Sequence, residues 1–209
     1  MQECQYDKIL IMNKLKFRWA RHFILITILL EWSGFIIISR VFKLSVSLPI
    51  SQVSSVVNPA KWWAFIVMLL AAISYSIAGL YFNNFYNKSL ITSVIAGIFF
   101  SLVPLLPYDD PKWAWLHLIS ALSCFSLYVY LIFTSSKSEL LGPKLRRFFK
   151  IIYLVEIIFI LGIIVLYNSK PHLVLALEVL MAIGIHLWAS VLYFYRKSWR
   201  LKLSKLYLV

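Results

Sequence analysis

Residues 149–167 read FKIIYLVEIIFILGIIVLY. Lys150 and Glu156 are the only charged side chains in this run, and its apolar residues neither alternate nor form a stripe. A helix that is hydrophobic on all sides is buried in a protein core or spans a membrane. At about 1.5 Å per residue the run is about 28 Å long, which matches the ~30 Å hydrocarbon core of a bilayer. The run therefore predicts a membrane-spanning helix.

Similar runs extend from this one towards both ends of the chain. Of the 209 residues, 62% are hydrophobic and 14% are charged, whereas a soluble domain carries roughly 25% charged residues. The apolar runs predict six spans, at about residues 22–40, 62–83, 89–107, 113–134, 149–167 and 173–195. We therefore predict an all-α polytopic protein. It has a basic head at 1–21, a six-helix transmembrane domain at 22–195 and a basic amphipathic tail at 196–209.

The basic residues predict the orientation of these spans. With both termini on one side, that side holds 16 Lys and Arg residues and the other side holds 5. Such an excess marks the cytoplasmic side, so we expect both termini in the cytoplasm and a multi-pass location in the plasma or inner membrane. The net charge of +13 lies in short pieces beside the spans, which argues against nucleic acid as a partner. Membrane lipids are the expected partners, and a homo-oligomer or a membrane partner subunit stays open.

Several ionisable residues fall inside the predicted spans. A charge in the lipid core costs roughly 2.5–3.5 kcal/mol on insertion scales, so such residues usually face other helices and often serve function. Depths estimated from the helical rise divide them into two groups. The outer group comprises His117, Glu178 and the turn residues Asp109 and Asp110, and the midplane group comprises Glu31, Glu156 and His186.

Two spacings predict how the helices face one another. In the last span Glu178, Ala182, His186 and Ser190 recur every four residues, so they share one face, which we expect to point into the bundle. In the third span Ser93, Gly97 and Ser101 have the same spacing. A stripe of small residues lets a neighbouring helix approach closely.

The outer group could carry chemistry. His117 could act as a general base, with Asp109, Asp110 and Glu178 as further tentative catalytic residues. The set His117, Glu178 and Asp110 could also bind zinc or a similar ion. Each residue also has a structural reading: the aspartates could cap the turn before Pro111, and Glu31, Glu178 or His186 could be hydrogen-bonded core residues. For Glu156 beside Tyr153 the structural role is favoured.

Other common chemistries are excluded or find no support. The sequence contains neither HExxH nor a P-loop. His117 and His186 differ in depth by roughly 14 Å, which argues against a haem held by both. The sequence identifies no cofactor.

Two segments resemble a known family. The first segment comprises Leu48-Pro49-Ile50-Ser51 and Asn58-Pro59, followed by Phe65. The second segment comprises residues 106–111 (LPYDDP), followed by His117, Ala121 and Phe125. Together they resemble the DRAM/Frag/Sfk membrane family and its six-helix bacterial relatives over residues 22–195. One position departs from the pattern, because Gln52 stands where an acidic residue is usual. The resemblance implies a lipid-related function at the outer leaflet.

Two functions are therefore open, and whether the protein is an enzyme is open with them. The first is lipid binding or remodelling at the outer leaflet, through loop one and the outer group. The second is a small proton- or cation-coupled transporter, or a subunit of one, that uses Glu31, Glu156, Glu178 and His186 near the midplane. A scaffold whose polar residues only hold the helices together is a third reading.

Overall fold

The protein is described by a computed structural model. It covers residues 19–42, 60–83, 88–107, 110–139, 141–167, 169 and 171–194, without the side chains of residues 171, 172 and 175. None of these residues forms a β-strand, and their six α-helices confirm the all-α prediction. The helices are α1 (His22–Val41), α2 (Lys61–Phe82), α3 (Ser89–Leu102), α4 (Pro111–Lys137), α5 (Pro143–Leu166) and α6 (Pro171–Phe194).

Five helices, namely α1, α2, α4, α5 and α6, are long and apolar enough to cross a membrane. The third differs, because α3 has 14 residues and continues only as a 3₁₀ turn at Val103–Leu105. Pro104 lies in this turn, and proline lacks the backbone N–H that a continuing α-helix needs. The predicted helix at 89–107 is therefore shorter than expected, and its α-helical part ends at Leu102.

The start of α5 also differs from the prediction. The helix begins at Pro143, after Gly142 as the N-cap, whereas the apolar run begins at residue 149. Proline is favoured at the first helical position, because its N–H would be unpaired there anyway. The basic first turns, with Lys144, Arg146 and Arg147, extend the helix beyond its apolar part. A prediction from apolar runs alone therefore misses these first turns of the helix.

The helices pack in chain order, each against the next, and α6 returns to contact α1. The first turn of α1 lies beside the last turn of α6. There the Tyr193 hydroxyl lies 3.4 Å from His22 Nδ1, and the Arg21 guanidinium lies 5.4 Å from the centre of the Tyr193 ring. The Tyr81 hydroxyl of α2 donates to the Leu192 carbonyl of α6 at 3.1 Å. These contacts close the bundle with α1 and α6 antiparallel.

Large buried rings fill one part of the bundle interior. Phe82 and Trp188 are fully buried, with ring centres 4.9 Å apart. The rings of Tyr75 and Tyr128, also buried, lie 4.6 Å apart edge to face, an arrangement that aromatic pairs prefer. These contacts join α2 to α4 and α6, next to the polar residues described below.

The small-residue stripe of α3 packs as predicted. Ser93 faces Gly79 of α2, and a Cβ atom on Gly97 would lie 3.1 Å from the Ala72 carbonyl oxygen. Two of the three predicted positions, Ser93 and Gly97, therefore bring α3 close to α2.

The outer surface of the bundle is apolar. Leu29, Ile158 and Val165 are 67%, 64% and 75% exposed. A soluble protein seldom exposes so many large apolar side chains, whereas hydrocarbon accommodates them. Exposed tryptophans gather at helix starts, with Trp62 and Trp63 on α2 and Trp113 and Trp115 on α4, as is typical of membrane interfaces.

Candidate functional site

A small cavity lies inside the bundle between α1, α2, α3, α4 and α6. Its volume is about 70 Å³, which is room for a few water molecules. Its polar lining comprises Glu31, Tyr75, Cys124, Tyr128, Glu178 and His186. Apolar side chains such as Phe35, Met68 and Phe125 complete the wall. The cavity brings together three of the ionisable residues that the sequence singled out.

Glu31 and His186 are in direct contact across the α1–α6 interface. His186 Nε2 lies 2.8 Å from Glu31 Oε2, and their side chains are 10% and 15% exposed. Glu31 is about 14 Å from the first residue of α1, and His186 is about 12 Å from the last residue of α6. Because these two helix ends are neighbours, the residues meet at the same depth, near the middle of both helices.

Trp32 contacts the other nitrogen of the same imidazole. Its Nε1–H donates to His186 Nδ1 at 3.0 Å, and the two rings stand edge to face with their centres 6.1 Å apart. An indole N–H can only donate, so Nδ1 acts as the acceptor and carries no proton. The proton of the neutral imidazole is then on Nε2, from which it is donated to Glu31.

Glu178 lies on the same face of α6, two turns before His186. Ala182, between them, also lines the cavity, so the predicted shared face is confirmed for these three residues. Neither Lys nor Arg occurs among the described residues that line the cavity. Two carboxyl groups and no fixed cation favour a positively charged occupant over an anion.

Glu156 lies apart from this cavity, which it does not line. It is 1% exposed and packs from α5 against Gly184 of α6. Its Oε2 has no hydrogen-bond partner among the described residues. The position of Glu156 agrees better with the structural role favoured from the sequence than with a place beside Glu31.

Two residues of the outer group, His117 and Asp110, do not line the cavity. His117 is 1% exposed and its Nδ1–H donates to the Leu106 carbonyl at 2.8 Å. Asp110 caps α4, accepting a hydrogen bond from the Lys112 backbone N–H at 2.9 Å. Of the three tentative catalytic residues that the structure describes, Glu178 alone lines the cavity. Asp109 lies outside the described residues, so a catalytic role for the outer group stays a prediction.

The metal prediction has no geometric support so far. Within the described ranges, no three His, Cys, Asp or Glu side chains are grouped closely enough to hold a metal ion. A metal site completed by Asp109 stays a prediction.

The sequence did not indicate that Trp32, Tyr75 and Tyr128 belong to one site. Trp32 was noticeable as a tryptophan inside a span and next to a glutamate, but its partner was not evident. Apart from a polar hydroxyl within an apolar run, nothing in the sequence distinguished Tyr75 and Tyr128. They became recognisable only once α2, α4 and α6 were placed around one cavity.

Comparison with known proteins adds no relative to this picture. No family model, curated protein or solved structure matches the chain. The resemblance to the DRAM/Frag/Sfk family therefore stays a prediction, and the function has to be argued from the bundle and its cavity alone.

Proposed function

We propose that this chain is a six-span membrane protein that moves protons, or a small cation coupled to protons, through its central cavity. Both termini would lie in the cytoplasm. One observation carries the proposal: Glu31 and His186 meet at 2.8 Å across two helices, on a cavity that they share with Glu178. Intramembrane carboxyl and imidazole groups that face a cavity are typical of proton relays.

The chemistry of the pair suits proton transfer. An imidazole can accept a proton on one nitrogen and release one from the other. Glu31 accepts the Nε2–H hydrogen bond and is the next acceptor along the path. Glu178 lies about 12 Å from His186 towards the start of α6, within reach of a few water molecules in the cavity. The three groups would connect the middle of the bundle to the half nearer the start of α6.

The size of the cavity favours a small occupant. Pockets for drug-sized ligands measure roughly 300–1,000 Å³, whereas this cavity measures about 70 Å³. A lipid tail needs more room than that, whereas water and a small cation do not. For this cavity, proton movement therefore has more support than the lipid-related function that the family resemblance implies. A chain of 209 residues would work as a homo-oligomer or with a membrane partner subunit.

The test is flux into vesicles of phosphatidylethanolamine and phosphatidylglycerol that contain the purified protein and a pH-sensitive dye. An imposed pH gradient should dissipate faster than in empty vesicles. The variant Glu31→Gln should slow this flux by about 100-fold, the lower end of what a positioned acid–base group contributes.

Two matched controls make the same chemical change elsewhere. Glu156→Gln alters a buried glutamate that does not line the cavity, and Glu139→Gln alters an exposed one beyond α4. Both should keep the parental flux. The proposal fails if the parent protein passes neither protons nor Na⁺ or K⁺ under any gradient, or if Glu31→Gln behaves like its controls.

A further inference from the structure

We propose that Trp32 is the positioning residue of this relay and blocks proton passage through His186 until its indole moves away. The proposal rests on the proposed proton path, but its first consequence, the tautomer of His186, can be measured without any flux.

Two consecutive residues of α1 contact the two nitrogens of one imidazole on α6. Glu31 Oε2 lies 2.8 Å from Nε2 and Trp32 Nε1 lies 3.0 Å from Nδ1. A carboxylate accepts hydrogen bonds and an indole donates one. The two contacts are therefore compatible with only one neutral tautomer, in which Nε2 carries the proton.

Passage of a proton through His186 requires both nitrogens. A proton arriving from water would bind to Nδ1, forming an N–H bond there and giving an imidazolium. The Nε2–H bond would then break, its proton forming an O–H bond on Glu31, and the imidazole would be left neutral with its proton on Nδ1. One proton enters and one leaves, so the step balances.

The Trp32 contact prevents the first of these events. In an imidazolium both nitrogens donate, so Nδ1 would face the indole N–H donor to donor. Protonation of Nδ1 therefore requires the indole to leave. Since Trp32 is partly exposed at the bundle surface, rotation away from His186 does not require repacking of the fully buried rings around Trp188.

The other groups around His186 do not replace this contact. Besides Glu31, the titratable groups facing the cavity are Glu178 on α6, Tyr75 on α2, and Cys124 and Tyr128 on α4. On α5 the titratable residue near the depth of His186 is Glu156, which packs against Gly184 and does not line the cavity. Among the described contacts of Nδ1, the indole is the one donor.

The test uses Trp32→Phe, which keeps an aromatic ring and removes the N–H. Nitrogen-15 spectra of histidine-labelled protein in lipid bilayers distinguish the two tautomers, and His186→Gln assigns the signal. The parent should show the Nε2–H form. Trp32→Phe should show a mixture that includes the Nδ1–H form. The flux of Trp32→Phe should exceed the parental flux.

The control Trp188→Phe makes the same change two residues from His186, on a side chain that does not contact the imidazole nitrogens. It should leave the His186 signal unchanged. An unchanged tautomer in Trp32→Phe overturns the positioning role. A changed tautomer with unchanged flux overturns the gate alone. Absence of flux in the parent, with a changed tautomer in Trp32→Phe, overturns the proposed function and leaves the positioning role supported.

Discussion

Gly184 on α6 leaves the space that the carboxyl group of Glu156 occupies on α5. A Cβ atom at position 184 would overlap Glu156 Oε1, so the glycine and the buried glutamate depend on each other. Gly184 is also only two residues before His186. The packing of α5 on α6 therefore sets the position of the helix that carries the imidazole.

We expect Gly184→Ala to destabilise the protein by about 1–3 kcal/mol, the usual cost of overpacking a core. Thermal unfolding of the purified protein in detergent measures this loss. The double variant Gly184→Ala, Glu156→Ala should recover part of it, because the shortened side chain at 156 makes room for the added methyl group.

Gly162→Ala provides the matched control. A Cβ atom there meets the two terminal methyls of Leu177, the nearer one at 2.9 Å, and a flexible side chain can move away. Gly162→Ala should therefore unfold close to the parent temperature. If both alanine variants are equally stable, the overlap between position 184 and Glu156 is not a constraint in solution.

Trp188 should contribute far more to stability than the tryptophans at the helix ends. It is fully buried against Phe82, so Trp188→Ala leaves a cavity and should cost about 3–5 kcal/mol. Trp62→Ala, at a side chain 61% exposed, should cost much less. Unfolding in detergent compares the two, and equal losses would contradict the core assigned here.

Asp110 should act as a helix cap. Asp110→Ala removes the acceptor for the Lys112 N–H and should cost about 1 kcal/mol, whereas Asp110→Ser should keep most of the stability. Both variants should retain proton flux, since Asp110 does not line the cavity. Loss of flux in Asp110→Ser, with folding intact, would instead favour the outer site predicted from the sequence.

The sequence predicted the helices well because each is marked by its own apolar run. The ends of α1, α2 and α6 lie within two residues of the predicted ones. The end of α4 lies three residues beyond the predicted one. The two largest differences have local causes: Pro104 ends α3 early, and the basic turns after Pro143 begin α5 before its apolar part.

The site was less predictable, because it depends on which helices become neighbours. The helical rise alone placed Glu31 and His186 at similar depths. Their contact also requires α6 to close on α1, although 154 residues separate Trp32 from its partner His186. The direction of the Trp32 indole depends on side-chain packing, which no spacing in the sequence specifies.

The two ends of α4 should lie on opposite sides of the membrane. Lys112 and Glu139 are both exposed, and the 27 residues of α4 separate them by about 40 Å, more than the ~30 Å hydrocarbon core. With Cys4 and Cys124 replaced by serine, we expect a membrane-impermeant maleimide to label Lys112→Cys in right-side-out vesicles and Glu139→Cys in inverted ones. The opposite pattern would reverse the proposed orientation. Labelling of both positions from one side would show that α4 does not cross the membrane, and would remove the basis for a transmembrane proton path.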